Sequence, residues 1–260
     1  MNGSTPATAS FLLRDVPRVV GTVSTTEGLD HAARAAASLP FDALEIRCGE
    51  AVTDPALLPP ALHALHAVGK PVLVTVRNRA EGGTWDDADP ARMDWFEIGL
   101  READAVDVEM SSALAARVCT LADELRRPVV LSWHDFQNTP PAEALLERMR
   151  AAADFCAAPI FKAACRVNSP ADIATLRAVL DARPAGLPVC LIGMGAEGAV
   201  TRLDFTLHGS ILTYGYIDRP SAPGQFSCRT LREFLAVQSR AYREALFGVP
   251  PSGGPRNASA

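Results

Sequence analysis

Lysine is almost missing from this chain: of its 25 basic residues only Lys70 and Lys162 are lysines, and every other one is arginine. Aromatic residues are also few, at 6%, while small aliphatics are many, a balance that suits an α/β protein better than a sandwich. There is no basic block, and the formal net charge is −5, which argues against nucleic acid as a partner. No stretch approaches the roughly 18 uninterrupted apolar residues that a membrane helix needs, so no membrane partner is expected. The N-terminal "MNGSTPATASFLLRDVP" lacks the basic and apolar regions of a signal peptide. The six cysteines show neither CxxC pairing nor metal-ligand spacing, and several lie in apolar runs; this fits reduced, buried thiols in a cytoplasm and no metal site.

What is present is a regular alternation. The 260 residues are 48% hydrophobic, enough for a full core. Short apolar runs at 18–23, 42–47, 71–76, 104–108, 128–132, 159–164, 188–192 and 210–215 read as strands. Segments with helical spacing follow them at 27–38, 54–68, 90–102, 112–126, 141–154, 169–182, 198–206 and 227–246. Alternation at this spacing predicts parallel strands joined by crossover helices, and eight such units predict a closed (β/α)8 barrel. The expected organisation is a loose lead-in at 1–16, one catalytic barrel at 17–247 and a disordered Pro/Gly/Ser-rich tail at 248–260.

A barrel places its site at the C-terminal ends of its strands. There the second run offers Glu45 and Arg47, and the third Arg77 with Glu81 shortly after it. The fourth carries Asp107 and Glu109, "VVLSWHDF" leads to His134, and "APIFKAAC" holds Lys162. Arg202 follows the seventh run, and "YIDRPSAPGQF" at 216–226, with Ser221 and Gln225, follows the eighth. A lysine amid apolar residues must be desolvated or paired. Such an amine makes a Schiff base with a carbonyl, an imidazole moves protons near neutral pH, and arginines grip a planar anion. Together they point to iminium chemistry on a small anionic substrate, either aldol cleavage or elimination of water, with no cofactor or metal. The glycine-rich "GMGAEG" reads as a tight strand-to-helix turn rather than a phosphate cradle, since it lacks the Walker lysine and the GxGxxG spacing.

These motifs resemble the type I 3-dehydroquinate dehydratases. The resemblance runs from about residue 18 to 245 through "EIRC", "VRNRAEGG", "DVE", "VVLSWHDF", "FKAA", "MGAEGAVTR" and "SAPGQ", each weak alone and strong in this order. It implies a cofactor-free (β/α)8 barrel, a homodimer as a rule, that turns 3-dehydroquinate into 3-dehydroshikimate on the shikimate route to aromatics. It also implies Lys162 as the imine-forming residue, His134 as the proton shuttle and Glu81 as its carboxylate partner. Arg202 would bind the substrate carboxylate, Glu45, Arg47 and Arg77 its ring hydroxyls, and Ser221 and Gln225 would belong to a closing loop. Asp107 and Glu109 match a supporting acidic pair. Two positions depart from the family: Trp133, expected to reshape the rim, and Gly21, expected to remove a hydroxyl contact. The alternatives are a lysine-dependent aldolase of the same barrel class and a non-catalytic binding barrel.

Overall fold

Strands β1 (Arg18–Val23), β2 (Ala43–Arg47), β3 (Val72–Thr75), β4 (Ala105–Glu109), β5 (Val129–Asp135), β6 (Pro159–Arg166), β7 (Val189–Met194) and β8 (Leu212–Tyr216) are all parallel. The computed structural model describes residues 11, 12, 16–220 and 224–247. From β1 to β7 each strand pairs with the next in sequence, and β8 returns to β1. Between β7 and β8 the ladder thins to one bridge, Val189 with Ser210, so the barrel is nearly closed. Helices α1 (Thr26–Ala35), α2 (Leu58–His66), α3 (Ala91–Glu102), α4 (Ala115–Leu125), α5 (Ala142–Ala153), α6 (Pro170–Asp181), α7 (Thr201–Asp204), α8 (Cys228–Gln238) and α9 (Arg240–Phe247) alternate with them. None is long and apolar enough to cross a membrane.

The strand period of two divides the core into two clusters. Val19, Leu44, Val74, Val106, Leu131, Phe161 and Leu191 face outward and pack under the helices. Val20, Ala43, Leu73, Ala105, Val130, Ile160, Cys190 and Leu212 face inward and fill the barrel together with Phe11. Counting on by twos from these inner positions, toward the strands' C-terminal ends, gives Thr22, Glu45, Thr75, Asp107, Ser132, Lys162, Ile192 and Tyr214. One more step gives Arg47, Arg77, Glu109 and His134. The same parity that fills the lower barrel with methyl groups therefore directs the polar residues into its mouth.

Several boundaries differ from the sequence reading. The fifth strand continues through His134 to Asp135, because its ladder with β6 persists to the Asp135–Cys165 pair. The segment expected as one helix over 198–206 is four α-helical residues and then a 3-10 turn, Phe205–His208. The final helix breaks at Ser239, whose backbone is extended and whose Oγ accepts from Tyr242 N at 3.2 Å, starting α9 afresh. Trp133 does not reshape the rim. It faces the helix layer, where Arg148 lies 4.5 Å from its ring centroid. Gly21 also faces outward, and a Cβ there would meet Ile217 and Phe41 at 3.1 and 3.2 Å; Thr22 is the residue of β1 that enters the mouth. The glycine-rich turn is indeed a packing device: a Cβ on Gly198 would lie 2.5 Å from the Gly193 carbonyl carbon. Of the expected lead-in, Phe11 is buried in the inner cluster, whereas the tail lies outside the described residues.

Candidate active site

Lys162 sits midway along β6 with its side chain 6% exposed, and its Nζ is 2.9 Å from Asp107 Oδ2. Of the two possibilities for a lysine in an apolar run, both hold: it is desolvated and it is paired. The other oxygen of Asp107 accepts from Arg77 Nη2 at 2.7 Å and from Ser132 Oγ at 2.6 Å. Arg77 Nη1 continues to Glu109 Oε1 at 3.1 Å, and Glu109 Oε2 accepts from Arg92 Nη2 at 2.6 Å. Buried charges thus alternate in sign along Lys162, Asp107, Arg77, Glu109 and Arg92, each satisfied by the next. Burial alone would raise the Asp107 carboxyl, but Arg77 and Lys162 outweigh it and hold it well below the usual range.

His134 ends the inward row of β5. Its Nδ1 lies 2.8 Å from Glu81 Oε2, and the other oxygen of Glu81 accepts from Ser111 Oγ at 3.0 Å. The loop after β3 aims Glu81. Asn78 Oδ1 accepts from Glu81 N at 2.8 Å, and Gly82 takes the left-handed φ of 82°. A Cβ on Gly83 would lie 2.1 Å from the Arg77 carbonyl oxygen, so the "EGG" turn admits no side chain there. Burial pushes Glu81 up to about 7. Burial, reinforced by Arg77 and Lys162, lowers His134 well below its ordinary value, so its imidazole is neutral at neutral pH. The Phe136 ring stacks beside it at 6.1 Å with an interplanar angle of 12°.

The remaining positions surround a cavity of about 250 Å³ lined by Glu45, Arg47, Arg77, Glu81, His134, Lys162, Arg202 and Gln225, among others. Glu45 is fixed by two hydroxyls, Thr75 at 2.8 Å and Thr22 at 2.9 Å. Arg47 pairs with Glu50 at 3.4 Å and donates to the Gly82 carbonyl at 3.1 Å. Arg202 differs from every other arginine in the mouth. It is buried, donates to the Tyr214 carbonyl at 3.3 Å, and pairs with no carboxylate among the described residues. Its Nε has no partner there either, and burial lowers the guanidinium to about 10. Of the expected site residues only Ser221 lies outside the described residues, as does part of the expected closing loop. A larger hollow of about 1130 Å³ at the opposite end, beside Leu12, Arg183 and Ile211, gathers no such set.

The family model for type I 3-dehydroquinase matches residues 19–241. The chain belongs to this family. It is 31% identical over 221 residues to the 3-dehydroquinate dehydratase of Methanocella arvoryzae, covering 85% of this chain and 96% of that one. It is 33% identical over 213 residues to that of Neisseria meningitidis serogroup A, covering 76% and 82%. Among solved structures, the 3-dehydroquinate dehydratase of Geobacillus kaustophilus superposes with a TM-score of 0.74 at 29% identity, over 86% of this chain and 93% of that one.

Within this type I 3-dehydroquinase mouth, the sequence reading missed Thr22, Thr75, Ser132, Ser111, Arg92, Phe136 and Tyr214. Four of them were accessible to it. Thr22, Thr75, Ser132 and Tyr214 all fall on the inward parity already marked by Glu45, Asp107 and Lys162. Arg92 carried no signal, because it reaches in from α3 rather than from a strand.

Proposed function

We propose that the protein dehydrates 3-dehydroquinate to 3-dehydroshikimate through an imine on Lys162. One observation carries the reading: Lys162, a neutral His134 held by Glu81, and Arg202, a cation with no carboxylate partner among the described residues, line a single cavity. Arg202 receives the substrate carboxylate through its planar fork, which places the ketone at Lys162. Glu45, Arg47 and Arg77 meet the ring hydroxyls, and Ser221 and Gln225 close over the ligand. The lysine nitrogen adds to the ketone carbon, and the ketone oxygen leaves as water while His134 relays protons. The resulting iminium acidifies the neighbouring carbon. His134 Nε2, the ring nitrogen left over from Glu81, takes that carbon's proton. The electron pair then moves through the enamine to expel the hydroxyl, which departs as water on receiving the proton from His134. Hydrolysis of the iminium releases the enone and restores the amine. No step calls for a metal or cofactor. Assembly as a homodimer and a cytoplasmic location belong to the same reading.

The test is the growth of conjugated-enone absorbance when the purified protein meets 3-dehydroquinate. Borohydride added during turnover should leave a mass adduct on the peptide holding Lys162, and chelator should leave the rate intact. No absorbance change, or an adduct on Lys70, would overturn the assignment.

A further inference from the structure

Lys162 Nζ has a second close neighbour besides Asp107. The ring of Tyr214, on β8, lies with its centroid 4.3 Å from the nitrogen. Both residues are buried, and the Tyr214 hydroxyl has no hydrogen-bond partner among the described residues. What this position presents to the lysine is therefore an aromatic face.

We propose that the Tyr214 ring is a catalytic surface that stabilises the cationic nitrogen of Lys162 as it becomes the iminium, an inference that rests on the imine assigned to Lys162 above. In the overall step the ammonium nitrogen gives two protons to the departing ketone oxygen, which leaves as water. The nitrogen forms two bonds to the former ketone carbon and keeps one N–H and the positive charge. Its capacity to donate hydrogen bonds thus falls from three to one while its charge persists, now shared with carbon. A carboxylate at 2.9 Å acts largely through a donated hydrogen. The quadrupole of an aromatic face needs no hydrogen, and its attraction is stronger for the iminium than for the ammonium, because the planar, delocalised and less hydrated cation can lie against the ring. The low-dielectric surroundings strengthen it. An uncharged ring also has an advantage over a second carboxylate at this place: it favours the cation without repelling an anionic substrate.

The test compares the rate of imine formation across rings of nearly equal shape and different π charge. Full-length protein carrying Tyr214→Phe is the reference, with mono-, di- and trifluorinated phenylalanine introduced at the same position. Each is mixed with 3-dehydroquinate for a single turnover and quenched with borohydride, and the Lys162 adduct is counted by mass spectrometry. The rate should fall with each fluorine, reaching about tenfold below the reference for the trifluorinated ring, as expected for a desolvated cation–π contact. Tyr214→Leu should lose at least as much; if it does not fold, the fluorinated set still decides. Rates that stay level across that set, with the adduct still on Lys162, would overturn the role of the ring alone. An absent adduct in the unsubstituted protein would overturn the imine and this proposal with it.

Discussion

Nδ1 of His134 lies 2.8 Å from Oε2 of Glu81, inside a mouth where Arg77 and Lys162 already supply buried positive charge. Burial, reinforced by those cations, resists a further proton on the imidazole, and burial also resists the charge on the carboxylate. The pair therefore holds a neutral ring whose Nε2 is free to accept a proton from carbon. The Phe136 ring lies alongside and nearly parallel, 6.1 Å away between centroids.

Glu81 titrates at about 7, so activity should depend on its ionisation. As pH falls through about 7 the carboxylate gains a proton, loses its hold on Nδ1–H, and kcat/KM should decline; Glu81→Gln should show a low rate without that acid limb. Stability runs the other way. The folded value lies above the ordinary 4.5, so the protonated form suits the fold, and its stabilisation is fully present below about 4.5 and lost as pH rises through about 7. Relative to Glu81→Gln, the parent should lose on the order of 3 kcal/mol across that rise. Denaturant midpoints measured at both ends of the range check this. A parent and variant that move in parallel would refute it.

His134→Ala removes the proton relay and leaves the amine. Turnover should drop by at least about 10²-fold, the lower end for general acid–base catalysis. Borohydride should still trap an adduct on Lys162, because later proton transfers slow more than substrate binding. Turnover near that of the parent would remove His134 from the mechanism.

The alternating buried charges make a stability prediction far from the chemistry. Arg92 is fully buried and supplies one of the two guanidinium groups on Glu109. Arg92→Ala would leave that carboxylate buried with Arg77 as its remaining cation, and urea unfolding should report a loss of about 3 kcal/mol. Arg92→Lys should recover only part of it, since an ammonium cannot reach Glu109, Asp87 and the Val76 carbonyl together as the fork does. A loss within the error of the measurement would mean that the network carries no net stability.

Which parts of this arrangement the sequence exposed follows from how each residue reaches the mouth. Residues delivered by strands announce themselves: Glu45, Asp107 and Lys162 interrupt apolar runs and His134 closes one, and their order along the chain carries the family resemblance. The barrel was legible for the same reason, since eight apolar runs at even spacing leave few other arrangements. Orientation within a strand was harder. Trp133 and His134 are adjacent, but period-two alternation sends one to the helices and the other into the barrel, so proximity in sequence misled about the rim. Gly21 and Thr22 repeat the lesson on β1. The break at Ser239 was hidden because residues on both sides keep helical spacing, and only the serine's side chain marks a new start. Arg92 was hidden for a different reason: nothing local marks an arginine on a helix as a partner for a carboxylate 17 residues away.

Arg202 gives the sharpest test of substrate recognition. A guanidinium is seldom buried without a counter-ion, because the cost of removing its hydration is then unmatched. Here that cost appears as a lowered proton affinity, down to about 10, and among the described residues Nε is unpartnered and one Nη donates only to a backbone carbonyl. A carboxylate arriving with the substrate would supply the missing charge and occupy the remaining donors. Arg202→Lys keeps the charge and loses the planar pair of donors. It should raise KM for 3-dehydroquinate by about tenfold or more, consistent with losing a charge-assisted hydrogen bond, while kcat falls less. Arg202→Gln, without charge, should raise KM further. The parent's Tm should climb on adding an unreactive carboxylate analogue of the substrate, and Arg202→Gln should show little of that shift. Equal ligand-induced shifts in parent and variant would place the anion elsewhere and leave the burial of Arg202 without a functional reason.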